Sequence, residues 1–222
     1  SKRLEFFHGS FTQIPDHGDG YHAILADLGY SSNQLEDPQY GMSFMIEGPL
    51  DMRLKRPSDN PTAWDIILEA PLPWFAQTLK AYGEIPQAEK YTRMLREAAQ
   101  RGEVVNSTTS LAQWTAKKFP HFGSKTTHAA TTVFQALRIA VNDELRTLDL
   151  FMKTAILKLR KHGRLLVITF HSLEDRIVKE IGSKDERLKV LTKKPILPQE
   201  KEIKLNPRSR SAKLRIFEKI KD

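Results

Sequence analysis

The chain has 222 residues, with 35 Lys and Arg against 27 Asp and Glu, a formal net charge of +8. Apolar residues make up 40% and charged residues 28%, a globular composition that argues against disorder throughout. The absence of Cys excludes a disulfide scaffold, a thiolate nucleophile and a Cys-ligated zinc or iron–sulfur centre, and no apolar run approaches the roughly 20 residues that a membrane span needs.

Read in chain order, Leu4-Glu5-Phe6-Phe7 predicts a short strand running into a His8-Gly9-Ser10-Phe11 turn. Turn formers dominate from Pro15 to Gly20. Ala23-Ile24-Leu25-Ala26 is a continuous apolar run ending at Asp27, the pattern of a parallel strand buried on both faces. A long loop follows from Leu28 to Gly48, rich in Gly, Ser, Asn and Pro, and loops after parallel strands often carry function. From Asn60 the texture turns helical. Asn60 is a candidate cap and Pro61 a first helical residue. Further helices are predicted over 74–81, 87–101 (stopped by Gly102) and from about 109 to the residue before Pro120. These four read as one insertion.

Residues 128–160 carry a longer helical pattern ending at Gly163, either two helices or one bent helix. Arg164 to Phe170 is the clearest strand of the chain. Ser172-Leu173-Glu174-Asp175 then opens a helix with a capping box. After a Pro-containing loop, Lys213 to Ile220 alternates as a late strand. The charge is uneven. Residues 179–222 hold 14 Lys and Arg against 7 Asp and Glu, a net +7, so nearly all the excess lies in the last fifth. A basic terminal region points to a polyanion such as nucleic acid, and a solvated surface explains it equally well.

Strands alternating with helices predict a mostly parallel α/β sheet, with 23–27 and 164–170 as neighbours. In such sheets ligands sit outside the carboxyl ends of the strands. That rule selects His8-Gly9-Ser10-Phe11, Asp27-Leu28-Gly29 with the loop to Gln34, and His171-Ser172. An Asp directly after an apolar run is a carboxylate at the core's rim, although a loop-capping hydrogen bond is its commoner fate. The sequence has neither a G-x-G-x-x-G turn nor a P-loop, and its seven His are scattered without metal-ligand spacing, so no metal is expected. Two further segments stand out. Phe44 to Arg53 joins Gly-Pro to Asp51 and Arg53, a loop that an Asp–Arg pair would staple. Asn206 to Arg215 sets four cations in ten residues, which a soluble edge would also explain.

Five stretches, in family order, resemble the bacterial 16S ribosomal RNA cytosine-N4 methyltransferases (the RsmH/MraW family, with a mitochondrial relative). They are DLGYSSNQL at 27–35, FMIEGPLDMR at 44–53, TTVFQALRIAVNDEL at 131–145, FHSLEDRIVK at 170–179 and NPRSRSAKLR at 206–215. The resemblance implies a Rossmann-like sheet that uses S-adenosylmethionine (AdoMet), with a helical insertion domain. The core would be split over 1–59 and 126–222, around a substrate-recognition insertion at 60–125. It implies AdoMet contacts at Phe11, Asp27 and Gln34. It also implies a 16S RNA partner, met within the small ribosomal subunit, and a cytoplasmic or, for an organellar relative, mitochondrial setting. The family's Gly-rich AdoMet loop and its ribose-binding acidic residue have no counterpart here. The resemblance therefore implies that the sheet's first βα units are missing and that this chain alone binds AdoMet weakly.

The chemistry sets its own demands. The cytosine N4 lone pair is delocalised, so an enzyme must accept a hydrogen bond from the amine and align it for in-line displacement. Asp27 is the candidate for positioning the amine. Tyr30 is a candidate for stacking on the base, and Arg53, Arg208, Arg210 and Lys213 for holding RNA phosphates. Two rival readings share these residues: a catalytically incomplete RNA-binding or assembly module, and a DNA or small-molecule methyltransferase on the same fold.

Overall fold

The computed structural model describes residues 4–11, 13–14, 18–122 and 128–221. The opening Ser1-Lys2-Arg3, the start of the Pro15–Gly20 loop and the last residues of the 60–125 insertion fall outside them. The described chain forms two compact units, residues 1–29 with 145–222 and residues 30–144.

The first unit is built on four strands, β1 (Tyr21–Asp27), β2 (Leu159–Thr169), β3 (Leu188–Val190) and β4 (Lys213–Lys219). They lie side by side in the order β1-β2-β4-β3. β1 and β2 are parallel neighbours, with Ile24 opposite Leu165 and Asp27 opposite Ile168. The other two pairings, β2 with β4 and β3 with β4, are antiparallel. The expectation of a mostly parallel sheet is therefore corrected: the basic segment before β4 brings the chain back to the end where β2 finishes, and β4 runs the opposite way. Two helices of this unit, α7 (Glu144–Lys158, from its second residue on) and α8 (Ser172–Lys184), share its core. Phe151, Met152, Ala155 and Ile156 of α7 and Val178 of α8 meet Ile24, Leu165, Val167 and Phe217 of the sheet. Gly182 lets α8 approach β4 closely, because a Cβ there would run into the Phe217 ring.

The apolar run at 23–26 is not buried on both faces. Ile24 is buried, whereas Leu25, on the opposite face, is 63% exposed. A continuous apolar run implies cover on both sides only when neighbouring elements supply it. Among the described residues β1 pairs with β2 alone. Residues 4–7 form no strand, and Phe6 and Phe7 are exposed. β2 starts at Leu159, five residues before the expected 164. Its first residues, Arg160-Lys161-His162, are polar and carry no strand-like alternation of apolar side chains.

The second unit is helical: α1 (Ser32–Glu36), α2 (Ala63–Glu69), α3 (Leu72–Gly83), α4 (Ala88–Gln100), α5 (Thr108–Lys118) and α6 (Thr131–Asn142). Thr62, not Asn60, caps α2, in a reciprocal box with Asp65. Tyr91 is fully buried and shares a 2.7 Å hydrogen bond with Thr115, and burial pushes its phenol well above the ordinary value. Arg96 of α4 donates to the carbonyls of Ile67, Ile66 and Ala70, closing the open end of α2. The long pattern at 128–160 resolves into two helices, separated where Asp143 takes a left-handed conformation with φ 50°.

Candidate active site at the carboxyl ends of the parallel strands

β1 and β2 end together. The ladder continues one step past Asp27, where the Leu28 amide donates to the Ile168 carbonyl at 3.1 Å. Gly29 then turns the chain with φ 107°, a conformation that side chains rarely adopt. The Phe170 ring stands 3.6 Å from where a Gly29 Cβ would lie, so the two strand-end turns abut. Asp27 is exposed on the face opposite buried Ile24, a carboxylate free of the core at the end of a parallel pair.

The second turn is held by its own residues. The Glu174 carboxylate is buried and accepts from the amides of Phe170 at 2.8 Å and His171 at 3.3 Å. The His171 ring in turn accepts at Nδ1 from the Glu174 amide at 3.4 Å. The cap of α8 is thus His171 and not Ser172, one residue before the predicted box. The imidazole acceptor and the Glu three residues on satisfy the same amides that a Ser cap would.

β4 begins opposite the last residue of β2, with Lys213 paired to Thr169. The tight turn Pro207–Ser211 that leads into β4 therefore stands at the same end of the sheet as Asp27 and His171. Ser209 is buried and donates to the Asn206 carbonyl at 2.8 Å, fixing the turn, while Arg208 and Arg210 are exposed. Lys213 is half-buried and 3.8 Å from Asp175. Arg215, buried, makes a two-pronged pair with the same carboxylate at 2.6 and 3.0 Å. These hydrogen bonds outweigh burial, and with the positive charges of Arg215, Lys213 and Lys179 they hold Asp175 below the usual carboxylate range.

The remaining candidates divide between the units. Phe11 belongs to the first; it is 44% exposed and sets its ring edge-on to Phe151 at 5.1 Å. Gln34 belongs to the second, where its side-chain carbonyl accepts from the Ser31 amide at 2.9 Å in the capping box of α1. Tyr30 is half-buried, with the Arg138 guanidinium 4.9 Å from its ring centre. Arg53 spends its donors on its own loop: Asp51 at 2.8 and 3.0 Å, and the carbonyls of Ser58 and Asn60. Burial raises Asp51, but the hydrogen bonds from Arg53 and the charge of Arg56 overcome it, leaving the carboxyl low. Phe44 to Arg53 is therefore the stapled loop that the Asp–Arg spacing describes.

Sequence reasoning missed the partners that hold this loop. Asn142 donates to the Met52 carbonyl at 2.7 Å and accepts from the Leu54 amide at 2.8 Å, around a Met52 held at φ 62°. Asn106 accepts from Leu50, and Thr108 accepts from Gly48. The Asn142 signal was present in the VNDEL stretch; its target was not.

The MraW methylase family model matches residues 1–220. Among curated proteins, the chain is 43% identical to Ribosomal RNA small subunit methyltransferase H of Crocosphaera subtropica over 221 residues, covering 98% of this chain and 68% of that protein. The namesake from Cyanothece sp. is 42% identical, covering 99% of this chain and 72% of the relative. That from Trichodesmium erythraeum is 41% identical, covering 99% and 76%. A match over nearly the full length, together with this identity, means that the chain belongs to the MraW methylase family.

Proposed function

We propose that this protein transfers a methyl group from AdoMet to the exocyclic N4 of a cytidine in small-subunit (16S) ribosomal RNA near the decoding centre. The observation that carries the reading is the meeting of three features at one end of the first unit's sheet: the exposed Asp27 carboxylate, the Phe170–His171 turn and the Arg208/Arg210 turn. The relatives' name, ribosomal RNA small subunit methyltransferase, supports the substrate class.

The residues at this end fit such a substrate, with a carboxylate that accepts from an amine and cations for phosphate, and Phe11 offers an exposed aromatic face elsewhere in the same unit. Bound AdoMet supplies an electrophilic methyl on sulfur, which needs no metal. Phe11, Asp27 and Gln34 are the residues we assign to holding it. The chain's own task is orientation. Asp27 accepts a hydrogen bond from the target amine, which favours a tetrahedral nitrogen and aims its lone pair at the methyl carbon. N4 would gain the methyl as the methyl–sulfur bond breaks with the electron pair left on sulfur, and the proton that N4 gives up would pass to water. Arg208, Arg210 and Lys213 hold the RNA backbone, and the helical segment 60–125 takes part in substrate recognition. The base enters unpaired or flipped. Arg53 contributes indirectly, by shaping its loop.

Incubation with methyl-labelled AdoMet and small-subunit RNA, followed by nucleoside mass spectrometry, tests this reading. The expected product is N4-methylcytidine. Label on C5 or on another base would refute the N4 assignment, and label on DNA in preference to RNA would refute the substrate.

A further inference from the structure

Tyr30 lies three residues after Asp27 and opens the second unit. The guanidinium of Arg138, on α6, stands over its ring at 4.9 Å from the centroid. That guanidinium is fixed along its Nε–Nη2 edge. Its Nε donates to Glu144 Oε1 at 2.7 Å and its Nη2 to Oε2 at 2.9 Å. Both side chains are largely buried, at 13% and 15% exposure. The left-handed Asp143 makes this possible, because it turns the chain between α6 and α7 and returns Glu144 beside Arg138. The charge of Arg138 is therefore already matched by Glu144. Its contact with Tyr30 adds no neutralisation; it places a planar cation over a ring that is only half-buried.

An aromatic ring held in advance by a planar cation loses less rotational freedom when a second flat group stacks on it. We propose that Arg138, clamped by Glu144, is a positioning residue that holds Tyr30 as a stacking face for a single unpaired base of the RNA. The inference rests on the RNA-methylation reading above and adds to it the residues that fix the base platform.

The probes are two fluorescent RNA backbones of abasic riboses, one wholly abasic and one carrying a single central cytidine, titrated by anisotropy onto the full chain at matched salt. Wild type is expected to prefer the cytidine strand roughly tenfold, the scale of one base–aromatic stack. Tyr30→Leu and Arg138→Met should each remove most of that preference while leaving affinity for the abasic strand unchanged. Tyr30→Phe should retain it, and the Tyr30→Leu/Arg138→Met pair should lose no more than either alone. Tryptophan fluorescence from Trp64, Trp74 and Trp114 checks that each variant is folded. If Arg138→Met is not, Arg138→Lys, which keeps the charge and loses the fork, takes its place and should still lower the preference. An Arg138 with a purely structural role would weaken both strands alike, or lower stability without changing their ratio, and that result overturns the inference. Equal binding of both strands by wild type overturns it too, with RNA binding intact. Binding of neither strand sinks this inference and the RNA reading together.

Discussion

The pair between Asp175 and Arg215 gives the sharpest test of how the candidate site is supported. Arg215 lies in the middle of β4 and is 6% exposed, and Asp175 sits in the first turn of α8. Their two hydrogen bonds tie the helix that carries the His171 turn to the strand that carries the basic turn. The two halves of the pair are not equivalent. Asp175→Asn leaves Arg215 buried with its charge unpaired, which should cost about 3–5 kcal/mol. Arg215→Met leaves Asp175 with Lys213 at 3.8 Å and with the favourable end of a helix dipole, so about 1–3 kcal/mol is expected. The double variant Asp175→Leu/Arg215→Met removes both charges and should cost less than Asp175→Asn alone. Trp64, Trp74 and Trp114 all belong to the other unit, so intrinsic fluorescence does not report on this pair directly. Urea unfolding followed by amide exchange on β2 and β4 reports the right region. The pH dependence has a definite sign. Asp175 is held below its ordinary value in the folded state. Its contribution is complete above the unfolded value of about 4 and is lost as pH falls through the lower folded value. The gap between wild type and Asp175→Asn should therefore stay constant from pH 7 to about 5 and close below about 4. Single variants that each cost under about 1 kcal/mol, or a gap that widens in acid, would refute the argument.

Three further outcomes follow from the geometry. Asn142→Ala should destabilise the helical unit by about 2 kcal/mol, since it strands the Leu54 amide and frees the left-handed Met52; tryptophan-monitored urea unfolding measures it. Replacing exposed Arg208 and Arg210 by Ala should weaken binding to small-subunit RNA and flatten the log affinity against log salt plot by about 0.7 per lost cation on unpaired RNA, and an unchanged slope would make the turn a solvated edge. In calorimetric titration with AdoMet, Asp27→Ala should lose most of whatever binding wild type shows, while Phe11→Ala and Gln34→Ala should each lose about 1–3 kcal/mol. For Gln34 part of any loss belongs to the α1 capping box, so Gln34→Glu, which keeps the accepting oxygen, separates the two effects.

What the sequence made legible, and what it hid, follows the range of the interactions involved. Asp27 was readable because an apolar run that stops at a carboxylate is a local signal, and the strand-end rule turns it into a position. The Asp51–Arg53 staple was readable for the same reason, its partners being two residues apart. The anchors of that loop were not: Asn142 and Asn106 reach it from 56 to 90 residues away, and nothing in their own neighbourhoods marks the target. Strand direction was hidden as well. Leu214, Ile216 and Phe217 announce a strand, but the same residues fit a parallel or an antiparallel neighbour, and the antiparallel choice depends on where the preceding turn delivers the chain. That choice decides where the basic turn stands. Had β4 run parallel to β2, Arg208 and Arg210 would enter at the opposite end of the sheet from Asp27. Because it runs antiparallel, Lys213 pairs with Thr169, and the most basic turn of the chain stands at the end where both parallel strands finish. The reversal that the sequence did not disclose is thus what brings the most basic turn to the same end as the carboxylate.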